Sequence, residues 1–231
     1  GIRLTVFAAT TANPLKLDAM RRLGADVKLS GDDFDAAKAA AVAFSKAGGG
    51  TLVVDGDEAA VAEGAGTIAA ELTGAGARPD VILVPLGNGA LATGVGAWMK
   101  AESPVTRVVA VVARAAPCMK TSFETGFPVE TQTAATIADG IAVRVPVPYA
   151  LDTMRGTVDE VVDVSDEDIL AAMRLCHERL GLVVEPAGAA GLAAVLARPN
   201  VFAGQDVATI LCGGNLTPAQ IRTWLLPEAA R

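Results

Sequence analysis

Short β-branched runs alternate along this chain with stretches whose apolar residues recur every three or four positions. The runs at 81–84, 107–112 and 207–211 are apolar apart from Arg107, which opens the second, and Thr209 in the third. They predict interior strands of a parallel sheet, buried on both faces. With their flanks, the predicted strands are 4–9, 26–29, 51–54, 81–85, 107–112, 141–145 and 207–212. Helical periodicity predicts helices over 14–23, 34–47, 58–72, 90–101, 166–180 and 187–196. Strands and helices taken in turn imply an α/β fold: an open, mostly parallel twisted sheet flanked by helices.

The helix at 166–180 has the clearest markings. Ser165 is a natural N-cap, Asp166, Glu167 and Asp168 fill the first turn, and Ile169, Met173, Cys176 and Leu180 form one apolar stripe. Asp33 opens the helix that begins at Phe34 in the same way. The glycines at 48–50 mark a turn, and the proline-bearing stretch 145–149 reads as a connecting loop. A boundary falls near 55–65, because the elements before it are too few to close a domain. The chain also runs from Gly1 and Ile2 straight into a strand, so the sheet is expected to need more chain upstream. Apolar surface around 4–9 and 51–54 is expected to be covered by another segment or another chain.

Composition narrows the function classes. A length of 231 residues suits one sizeable domain. The hydrophobic share of 52% and mean hydropathy of +0.42 are high, but much of this is Ala and Val broken by Gly, Pro or charge. No run reaches the roughly 18 apolar residues that span a bilayer. No basic stretch leads an apolar core and cleavage site, so neither a membrane partner nor a signal peptide is expected, and the location reads as cytoplasmic. The formal charge is −7, with basic residues scattered rather than in a stripe, which excludes nucleic acid as a partner. The 3 cysteines lack CxxC spacing and there is 1 histidine, which argues against a disulfide framework and a His/Cys metal site. His177, between Cys176 and Glu178 in a helical run, reads as a helix-surface or edge histidine rather than a catalytic base.

The chemistry sits in three places. The run VILVPLGNGALATG at 81–94 is a buried strand that ends in a glycine turn, with a helix starting at once. Glycines let successive N–H groups point at one spot, and the positive end of the helix dipole adds to that field, giving a phosphate cradle to which Asn88 could donate one more hydrogen bond. A dinucleotide fingerprint would need glycine at position 92, which is alanine, and no Gly-Lys-Ser/Thr follows for a nucleotide triphosphate loop. A turn that merely packs helix on strand remains the bland alternative. The run VATILCGGN at 207–215 also ends a strand in glycines, and places Cys212 at the carboxyl end, where α/β ligands bind. Such a thiol can hydrogen-bond a heterocyclic nitrogen without fixing a proton on it, or can simply pack the sheet. In VEPAGAA at 184–190, Glu185 reads equally as an ordinary helix N-terminal charge or as a site carboxylate.

In order, these segments resemble one family. GNGAL at 87–91 resembles the phosphate loop of fold-type II pyridoxal-phosphate enzymes, and TIADGIAV at 136–143 resembles the same segment of threonine dehydratases. EPAGAA at 185–190 is similar to their Glu-Pro-Ser-Gly-Ala run, and CGGN at 212–215 to their Ser/Cys-Gly-Gly-Asn. NPLK at 13–16, GADV at 24–27 and the pair Phe34-Asp35 resemble the end of the family's small domain. The similarity covers nearly the whole chain. It implies that residues 1–57 are the remainder of a small domain and 58–231 a large cofactor-binding domain. It further implies that Gly87, Asn88, Gly89, Ala90 and Leu91 hold the phosphate of pyridoxal 5'-phosphate. Cys212 would face the pyridine nitrogen and leave it neutral, and Glu185 would lie near the ring or line the pocket.

Two family segments have no counterpart. The cofactor-holding lysine lies in a Ser-x-Lys-x-Arg segment upstream, and none of Lys16, Lys28, Lys38, Lys46, Lys100 or Lys120 stands in that context. The Ser-x-Gly-Asn-His segment is also missing. Where some members place acidic metal ligands, this chain reads VARAAPC at 112–118, so no metal site is expected. The resemblance implies a parent protein that is a lyase of the threonine/serine ammonia-lyase type. It would act on a small hydroxy-amino acid and give a 2-oxo acid and ammonia, and it would work as a homo-oligomer or with the missing N-terminal segment. This chain alone, with no catalytic residue assigned, is expected to be inactive. The alternative is a non-catalytic module that binds the cofactor or a phosphate, or an assembly partner. A synthase-type member would share every motif.

Overall fold

The computed structural model describes residues 1–226, so the last five positions of the expected 58–231 domain lie outside the described residues. The chain begins with β1 (Thr5–Ala8), α1 (Pro14–Arg22), β2 (Asp26–Leu29) and α2 (Phe34–Phe44). It continues through α3 (Ala59–Gly74), β3 (Val81–Pro85), α4 (Ala90–Glu102), β4 (Arg107–Ala113), α5 (Cys118–Thr125) and α6 (Pro148–Thr157). The final elements are β5 (Glu160–Val164), α7 (Asp166–Leu180), α8 (Pro186–Ala197) and β6 (Val207–Thr209), with short helical turns after α8 and β6.

Every strand pair is parallel. β1 and β2 form a two-stranded sheet, and the other strands form a second sheet in the order β5-β4-β3-β6. The alternation of a strand explains how this second sheet is covered on both sides. Val81, Leu83, Val109 and Val111 point to the layer that holds α7 and α8, with Met173, Ala190 and Ala194 among their neighbours. Ile82, Val84, Val108, Ala110 and Val112 point the other way, to Val95 and Met99 of α4 and Met154 of α6. β3 and β4 are therefore buried on both faces, as the unbroken apolar runs predict.

The capping chemistry is also as read. Ser165 and Asp168 close a reciprocal capping box on α7, and Asp33 accepts from the Ala36 N–H at the start of α2. In the stripe of α7, Ile169, Met173 and Cys176 are buried, but Leu180 is 61% exposed because α7 ends there at Gly181 and turns off the sheet.

Several expectations fail for reasons the structure supplies. Residues 51–54 are extended but form no strand, because no neighbour offers them a ladder among the described residues. Residues 141–145 form no strand either. Asp139–Ile141 is a helical turn, and the N–H groups of Arg144 and Val145 donate to the buried Asp35 carboxylate (3.0 and 3.2 Å) instead of to a sheet. The expected loop at 145–149 gives way to α6 at Pro148, a proline in the first turn where its missing N–H costs nothing. The helix expected to reach 47 ends at Phe44 in a wider turn over Ser45–Gly49. The strand expected over 207–212 pairs only as far as Thr209, and it is a half-buried edge rather than an interior strand because only β3 flanks it. α5, α6 and β5 are absent from the periodic reading.

The apolar surface expected at the chain start is present. Ile2, Leu4 and Val53 are 97%, 59% and 66% exposed, and β1, α2 and residues 49–54 line an open groove of about 1140 Å³.

Candidate functional site

The site forms where β3, α8 and the segment after β6 meet. Leu86, fully buried, donates its N–H to Val111 O at 2.8 Å, so the turn that follows β3 is tied to β4 before it leaves the sheet. Residues 87–89 then bend into α4 through Gly89, whose φ of 105° is a left-handed conformation that glycine adopts without steric cost. Among the described residues, the N–H groups of residues 87–91 donate to no protein acceptor, while Thr93 N–H already bonds Gly89 O at 2.8 Å. The turn therefore offers a set of free donors at the positive end of a thirteen-residue helix.

The Asn88 side chain is a donor, but to a neighbouring acid. Its Nδ2 donates to Asp55 Oδ1 at 2.7 Å, and its Oδ1 is buried without a partner among the described residues. Its backbone N–H, by contrast, is among the free donors of the turn.

The other end of the cavity is made by α8 and the turn 212–215. Gly188 lies so close to this turn that a Cβ there would sit 1.7 Å from Cys212 O, which only a glycine permits. Glu185, 7% exposed, caps this end. Its Oε1 accepts from the N–H and Nδ2 of Asn215 (3.0 and 2.7 Å), and its Oε2 pairs with Lys16 Nζ at 2.8 Å. Burial disfavours the charge on Glu185, but the hydrogen bonds from Lys16 and Asn215 outweigh it and hold the carboxyl below its ordinary range. Cys212 is exposed, not packed into the sheet. Its low-polarity surroundings and then the Glu185 charge push the thiol up, which keeps it neutral near pH 7.

All seven residues singled out in the sequence, Gly87, Asn88, Gly89, Ala90, Leu91, Glu185 and Cys212, line one cavity of about 220 Å³. Asp55, Gly140, Ile141 and Gly188 are among the other residues of its wall, and no lysine lines it among the described residues. Two residues near it escaped the sequence reading. Asp55 gave no signal beyond an acid before a glycine, and Lys16 stood in the NPLK run that had been tied only to the fold. His177 lies half-buried on α7, outside the cavity.

The chemistry of this donor set fits pyridoxal 5'-phosphate. Free backbone N–H groups at a helix start suit a phosphate, and a neutral thiol at the opposite end suits an unprotonated ring nitrogen.

Comparison with known proteins agrees. Residues 1–213 match the model of the pyridoxal-phosphate dependent enzyme family. The chain is 38% identical to the L-threonine ammonia-lyase of Geobacter sulfurreducens over 94% of its own length and 54% of that protein's. It is 34% identical to the biosynthetic L-threonine dehydratase IlvA of Escherichia coli, over 94% of this chain and 42% of that one. The chain thus spans about half the length of the curated relatives it matches. Among solved structures, the processed form of threonine deaminase isoform 2 from Solanum lycopersicum superposes with a TM-score of 0.87 at 27% identity, over 96% of this chain and 61% of that one. Maize serine racemase gives 0.87 at 26% identity, over 96% and 69%.

Proposed function

The chain belongs to the pyridoxal-phosphate dependent enzyme family, and from that premise we propose that it is the part of a threonine/serine ammonia-lyase that seats the cofactor. The observation that carries this reading is the single cavity in which the glycine turn, Glu185 and Cys212 meet. The N–H groups of Gly87, Asn88, Gly89, Ala90 and Leu91 hold the phosphate at the start of α4. Cys212 faces the ring nitrogen and, as a neutral thiol, leaves it unprotonated, while Glu185 lines the ring end. When bound, the cofactor supplies the electron sink that lets an amino acid lose its α-proton and then its β-hydroxyl. The product of such an elimination is a 2-oxo acid with release of ammonia, from a substrate such as threonine or serine. The family resemblance gives the transfer of the α-proton to a lysine, and among the described residues no lysine lines this cavity.

Residues 1–57 act as the remainder of a small domain and 58–231 as the large cofactor-binding domain. On this reading the whole protein works in the cytoplasm as a homo-oligomer. No helix among the described residues is long and apolar enough to cross a membrane.

The test is to purify the native polypeptide that contains this sequence, titrate it with pyridoxal 5'-phosphate by absorbance, and assay it with L-threonine and L-serine. Cofactor binding with 2-oxo acid and ammonia release is the expected result. Cofactor binding with no turnover of either amino acid would favour the non-catalytic module. No cofactor binding would end both readings.

A further inference from the structure

Glu185 is the most heavily engaged carboxylate at the ring end of the cavity, and its partner comes from the far end of the chain. Lys16, on α1, pairs with Glu185 Oε2 at 2.8 Å and with Asp139 Oδ2 at 3.0 Å. One residue turn earlier on the same element, the N-cap Asn13 donates its Nδ2 to Asn215 O at 2.5 Å. Asn215 in turn donates twice to Glu185, and the Glu185 N–H bonds Gly213 O at 3.0 Å. The start of α1, the start of α8 and the turn 212–215 are thereby closed into one polar network around a carboxylate that is nine-tenths buried.

We propose that Lys16 is a positioning residue for the Cys212 end of the cavity: by pairing with Glu185 and Asp139 together, it fixes the carboxylate that fixes the 212–215 turn. The deduction rests on the reading that this cavity seats a pyridoxal ring, but the coupling it describes belongs to the protein alone. A half-buried lysine shared between two acids is held against both its flexibility and the loss of water around it, and only the ion pairs offset that cost. Lys16 stays charged for this reason. Burial opposes its charge, but the hydrogen bonds to Glu185 and Asp139 prevail. The charge matters to Cys212, whose thiol feels Glu185 directly. With Lys16 in place, the charge of Glu185 is compensated at Oε2. Without it, that charge acts on Cys212 uncompensated. Lys16 does not line the cavity and does not touch the phosphate cradle, so its influence is confined to the ring end.

The test compares wild type with Lys16→Met, Lys16→Arg, Asp139→Asn, Glu185→Gln and the double variant Lys16→Met/Glu185→Gln, in the native polypeptide. The first readout needs no cofactor: the rate of Cys212 alkylation by iodoacetamide against pH, followed by peptide mass spectrometry. The charged groups that set this profile are Glu185, Lys16, Asp139 and Asp55. Lys16→Met is expected to move the profile up by about half a pH unit, or about threefold in rate at a fixed pH. Lys16→Arg should restore it, and Asp139→Asn, which leaves Lys16 wholly to Glu185, should move it down. In the Glu185→Gln background, Lys16→Met should have no effect. The second readout is binding. Lys16→Met should weaken pyridoxal 5'-phosphate about tenfold, the loss of a charged hydrogen bond, while inorganic phosphate affinity stays unchanged. The proposal is overturned if the Lys16→Met profile overlays wild type, if its shift persists undiminished without Glu185, or if phosphate and cofactor weaken equally. A wild type that takes phosphate but not the cofactor would sink the proposed function instead, and the alkylation profiles would still decide the role of Lys16.

Discussion

The side-chain amide of Asn88 is held by Asp55, Nδ2 to Oδ1 at 2.7 Å, so a carboxylate stands in the cavity wall beside the glycine turn whose backbone N–H groups are proposed to hold phosphate. The pairing fixes which way the Asn88 amide points. It also sets a negative charge near the positive end of α4, which on the proposed reading should weaken phosphate binding at the turn.

Two substitutions separate these effects. Asp55→Ala removes the opposing charge, and inorganic phosphate should bind about threefold more tightly, a gain of the size expected for one exposed charge. Asn88→Asp sets two carboxylates side by side at the turn, and phosphate binding should weaken by about tenfold or more. Equilibrium dialysis against phosphate at low ionic strength measures both. Unchanged affinity in both variants would mean that the anion does not sit at this turn.

Gly188→Ala tests the close approach of α8 to the 212–215 turn. A Cβ there meets Cys212 O at 1.7 Å, so backbone has to move. We expect a loss of about 2–4 kcal/mol by urea unfolding, the range of overpacking and unsatisfied-backbone defects. A stability within about 0.5 kcal/mol of wild type would show that the two segments are not packed as described.

Asp163, on β5, is held by Lys120 Nζ (2.7 Å) and Arg114 Nε (2.7 Å). Burial alone would raise its pKa, but the hydrogen bonds from Lys120 and Arg114 lower it from 3.8 to about 2. A carboxyl depressed by folding stabilises the native state above its unfolded pKa, and that stability is lost as pH falls through the folded value. Asp163→Asn should therefore be less stable than wild type at pH 7, with the gap closing between about pH 4 and pH 2. Urea midpoints across that range give the comparison. A gap that does not change with pH would assign the loss to packing.

The three cysteines should differ in reactivity. Burial pushes the Cys118 thiol up to about 12, and its Sγ donates to Val143 O at 3.0 Å. Cys176 is buried against the α7 core, whereas Cys212 is exposed. Iodoacetamide should label Cys212 alone in the native protein and all three after unfolding in urea. Native labelling of Cys118 would mean that the helix carrying it opens.

Where a signal was local, the sequence carried it. The Val81–Pro85 strand is legible because both of its faces are apolar, and its partners in the core are hydrophobic whichever way each residue points. The α7 start is legible because Ser165 and Asp168 satisfy each other within one turn. The seven cavity residues singled out in the sequence were found because they lie where a strand ends in glycines or a helix opens at the sheet's edge. The misreadings share the opposite property. Residues 141–145 have strand-like side chains, yet the N–H groups of Arg144 and Val145 belong to Asp35, a buried acid paired with Lys38 on a helix far earlier in the chain, and those of 141–143 close local turns. β5 was missed because Glu160 and Asp163 interrupt its apolar pattern, and Asp163 is explained only by the basic residues gathered around it.

The sequence by itself determined the alternation of strands and helices, the caps, and the glycine turns that end β3 and follow β6. Each depends on sterics and hydrogen bonds within a few residues, so its information is contiguous. Only the tertiary structure decided that Lys16, Asp139, Glu185 and Asn215 meet, that Asn88 spends its amide on Asp55, and that residues 51–54 and 141–145 stay out of the sheets. A charged or hydrogen-bonding group can be satisfied by any complementary group that folding brings within about 3 Å. Which one it meets depends on how the elements stack, and no local pattern records that.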